Sequence, residues 1–444
     1  MILWKEEIMK TEPRTLAGTM ELLPNEQILF NQMKSKIENI YQKFGFLPID
    51  TPILELSEVL LAKAGGETEK QIYRFMKGET DLSLRFDLTV PLSKYVAKNY
   101  GNLSFPFRRY QIGKVYRGEK PQKGRFREFY QCDIDIIGDG ELDIINDAEL
   151  PSVIYTIFKE LGFDNFTICI NNRKILNGLF ESLGQKENAV EILRIIDKID
   201  KIGKEAVIEE LLKLDVQKSE IEKIISFIAI DGTSDEKIKK LENLGIKNEV
   251  YAKGVEELKQ VVENIRLFGI PDSNFKVDLT IARGLDYYTG TVYETFLNDY
   301  RELGSICSGG RYENLAEYYT DKKLPGVGIS IGLTRLFYKL NELNLMKAEQ
   351  KSIAQVLIIP MIEDLEQPIA LATNLRNLGI KTEIYLNNKK LKAKFKYADK
   401  LKIPYVIVIG EDEIKTNSVN VKNMETGEEK KIKLEINEII KELK

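Results

Sequence analysis

The sequence has 444 residues, 43% hydrophobic and 30% charged, and its 65 basic against 69 acidic residues leave a formal net charge of −4. This composition is typical of a folded globular protein of several domains and excludes a disordered, fibrous or polycationic chain. The sequence contains no histidine, which excludes Ser-His-Asp and Cys-His catalysis and metal sites that use imidazole ligands.

The three cysteines, Cys132, Cys169 and Cys307, are too few and too widely spaced for a four-ligand metal site, and their odd number favours a reducing compartment. The first residues become charged too early for the apolar core of a signal peptide. No run approaches the roughly 18 apolar residues of a membrane-spanning helix. These observations predict a cytoplasmic protein with no membrane partner.

The first part of the sequence predicts a long helix followed by strands. Apolar residues recur at helical spacing over 25–44, and strand-like runs follow at 82–86, 111–117 and 129–137. The charged, turn-rich segment 118–124 joins the last two runs. It predicts an antiparallel hairpin with a long loop.

Residues 184–262 have a different character, with apolar residues every three or four positions among mixed charges, which predicts a small helical insertion. Strand-like sequence returns at 275–280, 291–296 and 304–308, and a helix is expected after Gly332. Residues 353–444 then alternate strands and helices at short intervals. This alternation predicts a separate α/β unit with a largely parallel sheet.

The predicted hairpin is strongly basic, with eight basic residues against one acid, Glu119, over residues 108–127. Such a concentration suits the phosphates of a nucleotide or of RNA. The alternative is a solvated hairpin whose arginines pair with surface acids. Charge alone leaves both interpretations open.

The second strand of the hairpin has an unusual polar face. Period-two alternation places five residues on that face, namely Arg127, Phe129, Gln131, Asp133 and Asp135. An apolar core does not accommodate this set, so the pattern predicts a polar cleft. A solvated outer face is the alternative, and Phe129 argues against it because an aromatic ring suits stacking on a base.

At these residues the sequence resembles a known family. Residues 117–131 resemble motif 2 of the class II aminoacyl-tRNA synthetases, in the variant found in histidyl-tRNA synthetases. Four other segments are similar to further motifs: RGLDYYTG (283–290) and GGRY (309–312) to the two histidine-specific signatures, GVGISIGLTR (326–335) to motif 3, and 45–55 to motif 1. Single segments also have purely structural explanations. The glycines of 326–332 could permit tight packing, the tyrosines at 287 and 288 could be core residues, and 309–310 could be a hairpin turn. Five segments in the family's order argue against those alternatives together.

The resemblance implies an α+β catalytic domain with a mainly antiparallel sheet flanked by helices (the class II synthetase fold), a helical insertion and a C-terminal α/β anticodon-binding domain. The implied bounds are 1–183 and 263–342 for the two parts of the catalytic domain, 184–262 for the insertion and 353–444 for the anticodon-binding domain. The implied activity is ATP-dependent activation of L-histidine to histidyl-adenylate and transfer of histidine to the 3′ end of tRNA(His). ATP with Mg²⁺ and a homodimer are implied as well.

The resemblance also assigns three catalytic arginines: Arg117 to the α-phosphate, Arg335 to the γ-phosphate, and Arg283 to the reacting carboxylate or phosphate. Arginine suits these roles because its planar fork stays charged where negative charge develops. Glu119 and Phe129 are the residues implied to contact adenine.

For histidine, the resemblance assigns Asp87, Thr89 and Gln131 to the amino group and Asp135 and Tyr288, with neighbouring Tyr287, to the imidazole. An acid and a phenol would bind the two ring nitrogens. A polar site of this kind rejects analogues that lack the right donors by roughly 10⁴-fold or more.

Five basic residues are expected to contact tRNA, two in the hairpin loop and three in a lysine-rich helix: Lys123, Arg125, Lys392, Lys394 and Lys396. The helix is expected to bury Leu391, Phe395 and Ala398 and to spread its lysines around the remaining surface. A solubilising face is the alternative for these lysines.

The main alternative function is that of a non-catalytic, histidine-sensing regulatory paralogue of the synthetase. That paralogue lacks the anticodon-binding domain and loses catalytic arginines, whereas this sequence keeps residues 353–444 and Arg117, Arg283 and Arg335. A synthetase of different specificity is disfavoured by Asp135 and the 283–290 segment.

Overall fold

The computed structural model of this chain describes residues 11–62, 67–120, 124–196, 199–281, 288–314 and 316–443. These residues divide into two compact units, one drawn from 11–20 and 34–343 and the other from 21–33 and 344–443. Within these ranges, no helix is long and apolar enough to cross a membrane.

The strands belong to three sheets. In chain order they are β1 (Leu47–Pro48), β2 (Leu54–Leu56), β3 (Arg74–Lys77), β4 (Thr80–Leu84), β5 (Phe107–Tyr116), β6 (Glu128–Ile137), β7 (Phe166–Asn172), β8 (Phe275–Val277), β9 (Thr291–Leu297), β10 (Cys307–Tyr312), β11 (Gly326–Gly332), β12 (Val356–Pro360), β13 (Thr382–Ile384), β14 (Tyr405–Ile409), β15 (Ser418–Asn423) and β16 (Glu429–Lys433).

The α-helices lie on the sheets and in the segment between β7 and β8. They are α1 (Pro24–Lys43), α2 (Ser57–Leu61), α3 (Glu67–Gln71), α4 (Thr89–Asn99), α5 (Ile145–Glu160), α6 (Arg173–Ser182), α7 (Ala189–Ile196), α8 (Ile199–Leu212), α9 (Lys218–Ile228), α10 (Ser234–Glu242), α11 (Glu249–Leu267), α12 (Leu333–Glu342), α13 (Glu366–Asn377), α14 (Leu391–Leu401), α15 (Glu411–Lys415) and α16 (Ile436–Glu442).

The first unit is built on an eight-stranded sheet in the order β1-β5-β6-β11-β10-β9-β7-β8. The six central strands are antiparallel to their neighbours, and only the edge pairs β1–β5 and β7–β8 are parallel. The predicted hairpin is confirmed, since β5 and β6 pair along ten residues each. The mainly antiparallel sheet implied by the family resemblance is also confirmed.

The helices expected over 184–262 are present as α7 to α11, and the last continues to Leu267. Helix α11 packs on α5 and α6, and its Leu258 and Val262 are fully buried. Two glycines permit the close approach: a Cβ on Gly178 of α6 would lie 2.4 Å from the backbone nitrogen of Tyr251. A Cβ on Gly254 of α11 would lie 2.7 Å from that of Ile175.

The second unit contains a five-stranded sheet in the order β13-β12-β14-β15-β16. The β12–β13 and β12–β14 pairs are parallel, whereas β14–β15 and β15–β16 are antiparallel. The expected alternation of strands and helices is therefore present, but the sheet is mixed rather than largely parallel. The difference arises at the C-terminal hairpin, where β15 and β16 add an antiparallel edge to the parallel core.

Candidate active site

A cleft of about 490 Å³ opens on the central strands of the large sheet. Phe129, Gln131, Asp133 and Asp135 all line it, as the alternation along β6 predicts. Because a strand rises about 3.3 Å per residue, these four side chains extend over about 20 Å. Arg127 departs from the prediction: it precedes β6, and its guanidinium donates to the backbone oxygens of Glu119 and Ala17.

The neighbouring strands complete the floor of the cleft in rows. Asp135 pairs with Arg109 of β5 on one side and with Gly328 of β11 on the other. Asp133 pairs likewise with Gln111 of β5 and Ser330 of β11. Directly opposite residues share a face of the sheet, and of these residues Asp133, Asp135, Gly328 and Ser330 line the cleft.

The first end of the cleft is acidic and deeply buried. Arg109 is 0% exposed, and its Nη2 lies 2.5 Å from Oδ2 of Asp135. The hydroxyl of Tyr312 donates to Oδ1 of Asp135 at 3.1 Å. Burial raises the pKa of Asp135 to about 6, although Arg109 and Tyr312 both act to lower it. Asp135 is thus a carboxylate with both oxygens already held.

Asp133, one row along β6, has a less complete environment. Burial raises its pKa to about 7, against the lowering effects of Arg109 and of a hydrogen bond to Ser330. Its Oδ1 is buried and has no hydrogen-bond partner among the described residues, and the same holds for Oε1 of Gln131. The amide nitrogen of Gln131 donates to Ser330 Oγ at 2.8 Å. Two buried acceptor oxygens of residues that line the cleft are therefore without a hydrogen-bond donor among the described residues.

Asp87 and Thr89 also line the cleft, at the start of α4. Oδ1 of Asp87 accepts the backbone N–H groups of Thr89, at 3.2 Å, and of Val90, at 3.0 Å. Burial raises the pKa of Asp87, whereas the backbone hydrogen bonds from Val90 and Thr89 and the positive charge of Arg117 act to lower it. The helix start thus fixes a third carboxyl group in the cleft.

The opposite end of the cleft carries arginines and an aromatic ring. Arg117 directly follows β5, and its guanidinium carbon lies 4.3 Å from the ring centre of Phe86 and 5.1 Å from that of Phe129. Arg335 lies in the first turn of α12 and donates from Nη2 to the carbonyl of Leu303 at 2.6 Å. Burial lowers the pKa of Arg335, and both guanidinium groups line the cleft.

Glu119 and Arg125 also line the cleft at the end that holds Arg117. Their side chains approach each other to 3.5 Å, between Arg125 Nη1 and Glu119 Oε2, and the Arg125 side chain is 60% exposed. The acid implied to contact adenine and a basic residue implied to contact tRNA therefore lie side by side.

Tyr288 lines the cleft and also packs against the cluster of Cys169, Ile281 and Val292. Arg173 donates to its backbone carbonyl at 2.8 Å, which fixes the chain at this point. Tyr288 is therefore both a packed aromatic residue and part of the cleft wall.

The glycines of the two signature strands are not turn residues. Gly309 and Gly310 lie inside β10 and pair with both β9 and β11, so the hairpin-turn alternative is wrong. A Cβ on Gly309 would lie 2.1 Å from the carbonyl oxygen of Gly328. A Cβ on Gly328 would lie 2.1 Å from Oδ1 of Asp135. These positions must lack a side chain for the acid and the strands to fit.

Arg311, in the same strand, has a structural role. Its Nε and Nη2 donate to the carboxylate of Asp147 in α5 at 2.7 to 3.0 Å, and Asp147 is fully buried. The pair joins β10 to α5.

Three predicted site residues, Arg283, Tyr287 and Lys123, lie outside the described residues.

The two interpretations of the basic hairpin each hold for part of it. Arg108 pairs with Glu149, and Lys114 pairs with Glu128, as the surface-pair alternative expects. Arg117, by contrast, lines the cleft.

The lysine-rich helix α14 differs from its prediction. Lys392 and Lys396 are exposed, but Lys394 is only 5% exposed and donates from Nζ to the carbonyl of Pro360 at 2.8 Å. Burial lowers the pKa of Lys394. Leu391, expected to be buried, is 37% exposed. Lys394 therefore belongs to the packed side of the helix rather than to its basic face.

Arg109, Asp133 and Tyr312 were not among the predicted site residues. Asp133 was visible in the alternating stripe, but the pairing of Arg109 with Asp135 depends on strand register, which the sequence does not reveal. Cys307 also lines the cleft, and burial raises the pKa of its thiol, so it is not a thiolate nucleophile. No group of acids and cysteines able to hold a metal occurs within the described ranges.

Comparison with known proteins identifies the family of this chain. The family model described as histidyl-tRNA synthetase matches residues 18–336, and an anticodon binding domain matches residues 355–444. The chain is 61% identical to a histidine–tRNA ligase of Clostridium tetani, over 97% of this chain and 98% of that protein. It is 52% identical to a histidine–tRNA ligase of Finegoldia magna, over 98% of this chain and 100% of that protein.

Among solved structures, a histidyl-tRNA synthetase from Nostoc superimposes with a TM-score of 0.88 and 39% sequence identity, covering 98% of this chain and 100% of that one. The two family models together match residues in both units of the chain. The chain belongs to the histidyl-tRNA synthetase family.

Proposed function

We propose that this chain is an ATP-dependent ligase that activates L-histidine to histidyl-adenylate and transfers histidine to the 3′ end of tRNA(His). The observation that carries the proposal is the polarity of the cleft. Buried carboxyl groups lie at one end of the β6 stripe, and arginines with an aromatic ring lie at the other. An amino acid with a basic side chain fits the first end, and a nucleotide triphosphate fits the second.

In this proposal the amino group of histidine lies between Asp87, Thr89 and the unpartnered oxygen of Gln131. The imidazole lies beside Asp135, with Tyr288 on the wall of the cleft. The carboxylate then points along β6 toward Arg117. Histidine is shorter than the stripe of about 20 Å, so it occupies one end of the cleft and leaves the other end for ATP.

ATP occupies the other end, with adenine against Phe129 and Glu119 and the triphosphate between Arg117 and Arg335. The histidine carboxylate attacks the α-phosphorus, a P–O bond forms, and the bond to the β-phosphate breaks to release pyrophosphate. Arg117, and Arg283 by family resemblance, neutralise charge that develops at the α-phosphate. Bound Mg²⁺ would supply further neutralisation of the phosphate charge.

Transfer to tRNA requires a proton acceptor for the attacking ribose hydroxyl. The chain has no histidine to serve as that base, and the Cys307 thiol stays protonated. We assign the role to a phosphate oxygen of the adenylate, which leaves as AMP when the ester bond forms.

We assign the chemistry to the parts of the chain within 1–183 and 263–342, the helical insertion to 184–262, and anticodon binding to 353–444. The match of residues 355–444 to an anticodon binding domain supports the last assignment. Arg125, Lys392 and Lys396 are exposed and remain candidates for tRNA contact. Lys123 is a candidate by resemblance alone. The three free cysteines are consistent with a cytoplasmic location.

A homodimer is part of the proposal, and the small sheet β2–β4–β3 supports it. Leu54 and Leu56 are 45% and 44% exposed, whereas Glu55 between them is 8% exposed and binds Lys94 at 2.7 Å. Leu56 and Phe75 lie in one row across the sheet, through Leu82. An exposed apolar row of this kind suits a second copy of the chain. A monomeric mass in sedimentation at micromolar concentration would contradict this part.

The regulatory alternative is less well supported. The catalytic end of the cleft retains Arg117 and Arg335, and the anticodon binding match spans the C-terminal unit. Neither feature is needed by a protein that only senses histidine.

An ATP–pyrophosphate exchange assay with the twenty amino acids tests the proposal. Exchange that depends on histidine alone is the expected result. No exchange with bound histidine would favour the regulatory alternative, and exchange with another amino acid would assign a different specificity.

A further inference from the structure

The acidic end of the cleft holds more buried negative charge than one amino group can balance. Asp87, Asp133 and Asp135 are 5%, 2% and 4% exposed, and the buried cation among them is Arg109, at 0%. Arg109 balances Asp135, which it contacts directly. Because isolated buried charges are strongly unfavourable, a ligand that fits here should bring compensating positive charge.

The α-ammonium of histidine balances one of the two remaining carboxylates, and its place beside Asp87 and Gln131 follows from the proposed function. Asp133 then interacts with the charge of Arg109 only at longer range, because Arg109 forms its ion pair with Asp135. Its Oδ1 is also without a hydrogen-bond donor among the described residues, although Asp133 itself lies in the cleft wall. A donor that carries positive charge would satisfy both needs at once.

We infer that the cleft binds histidine with its ring protonated, as the imidazolium, and that Asp133 is the further specificity residue that accepts an N–H of this ring. The inference rests on the proposed function, because it assumes that histidine is the occupant. In this arrangement Asp135, fixed by Arg109 and Tyr312, and Asp133 both face the ring. Arg109 balances Asp135. The α-ammonium and the imidazolium of the ligand balance Asp87 and Asp133, so the charges at the acidic end of the cleft cancel.

Arg109 is the cation whose charge acts most strongly on Asp133. The titratable and charged groups that act on it or respond to it come from its own strand, β5, the start of α4, β10 and α1: Cys132, Asp135, Arg109, Asp87, Cys307 and Tyr41. From β11, the side chain that meets it is the neutral Ser330. The proton for the ring must therefore come with the ligand or from solvent.

The sign of the pH dependence follows from these groups. Burial raises the pKa of Asp133 to about 7, so at pH 8 the free protein has this group ionised. Free histidine has a ring pKa of about 6.5, so its ring is neutral at pH 8. Binding at pH 8 should then take up about one proton per histidine, and the dissociation constant should rise about tenfold per pH unit above neutrality.

The experiment is calorimetric titration of the full chain with histidine at pH 8, in two buffers of different ionisation enthalpy. The wild-type protein should take up about one proton per histidine bound. Asp133→Asn should reduce the uptake to about zero and flatten the pH dependence of binding, because the neutral amide no longer requires a cationic ring. Asp278→Asn, an acid outside this cleft, is the matched control and should behave like the wild type.

Nuclear magnetic resonance of ring-¹⁵N histidine bound to the wild-type protein locates the proton. Both ring nitrogens should show the shifts of protonated imidazolium. Histidine that binds without proton uptake would overturn the inference, and so would uptake with a neutral bound ring, since the proton would then lie on a carboxylate. Either result leaves the proposed function intact, whereas a failure of histidine to bind at all would count against that function. The wild-type measurements decide the question even if Asp133→Asn does not fold.

Discussion

Arg117 lies against the ring faces of Phe86 and Phe129, with its Nε donating to the carbonyl of Phe86 at 3.2 Å. This packing holds a planar cation in the cleft before any nucleotide is bound. A lysine has the same charge but neither the plane nor the forked donors.

Arg117→Lys should therefore fold normally and lower kcat for ATP–pyrophosphate exchange by about 10²-fold or more, the effect of losing one preorganised donor to a charged transition state. Arg266→Lys is the control, because Arg266 pairs with Asp235 and Asp272 at the surface. If both variants keep wild-type exchange rates, Arg117 has no catalytic role.

Asp133 also makes a prediction for the stability of the free protein. Its folded pKa, raised by burial to about 7, exceeds an ordinary unfolded value of about 3.9. The folded state then holds the proton more tightly, so stability falls as pH rises between these values. Asp133→Asn removes this dependence. The melting temperature of Asp133→Asn minus that of the wild type should be larger at pH 8 than at pH 5. An equal difference at both pH values would contradict the burial of an ionised Asp133.

At the scale of elements, strand β11 determines how closely its neighbours approach. Gly328 lies opposite Asp135, and an added Cβ would meet Oδ1 of that acid at 2.1 Å. Gly328→Ala should displace Asp135 and raise KM for histidine by about tenfold or more, with a smaller effect on KM for ATP, since overpacking of this kind costs about 1–3 kcal/mol.

Gly101→Ala is the matched control for this change, since a Cβ at Gly101 meets no atom within 4 Å. Kinetic constants for both substrates should be unchanged in this control. A Gly328→Ala protein with a wild-type KM for histidine would show that Asp135 does not need its present position.

The elements also show what the sequence could predict. Period-two alternation was sufficient to predict the polar stripe on β6, because that pattern is local. The ion pair of Arg109 with Asp135 was not predictable, since it depends on the register between β5 and β6. Lys394 was misassigned because a lysine stem can pack inward while its ammonium meets a carbonyl. Local periodicity thus predicts faces, whereas pairing across strands requires the structure.

For the whole molecule, we assign amino-acid activation to the first unit and anticodon contact to the second. Lys392→Gln with Lys396→Gln should raise KM for tRNA and reduce its dependence on salt by about one unit of log–log slope for each lost phosphate contact. Histidine-dependent ATP–pyrophosphate exchange should not change, because neither lysine lines the cleft.

Lys415→Gln is the control for these lysines, since Lys415 is an exposed residue paired with Glu411 at 3.2 Å. An equal rise in KM for tRNA in this control would show a general charge effect. Loss of pyrophosphate exchange in the double variant would contradict the assignment of histidine activation to the first unit alone.

A crystal structure of the protein with histidine and a non-hydrolysable ATP analogue would test the central assignment most directly. We expect the imidazole beside Asp133 and Asp135, and the triphosphate at Arg117 and Arg335. A ring bound at the arginine end, or phosphates bound among the buried carboxyl groups, would contradict it.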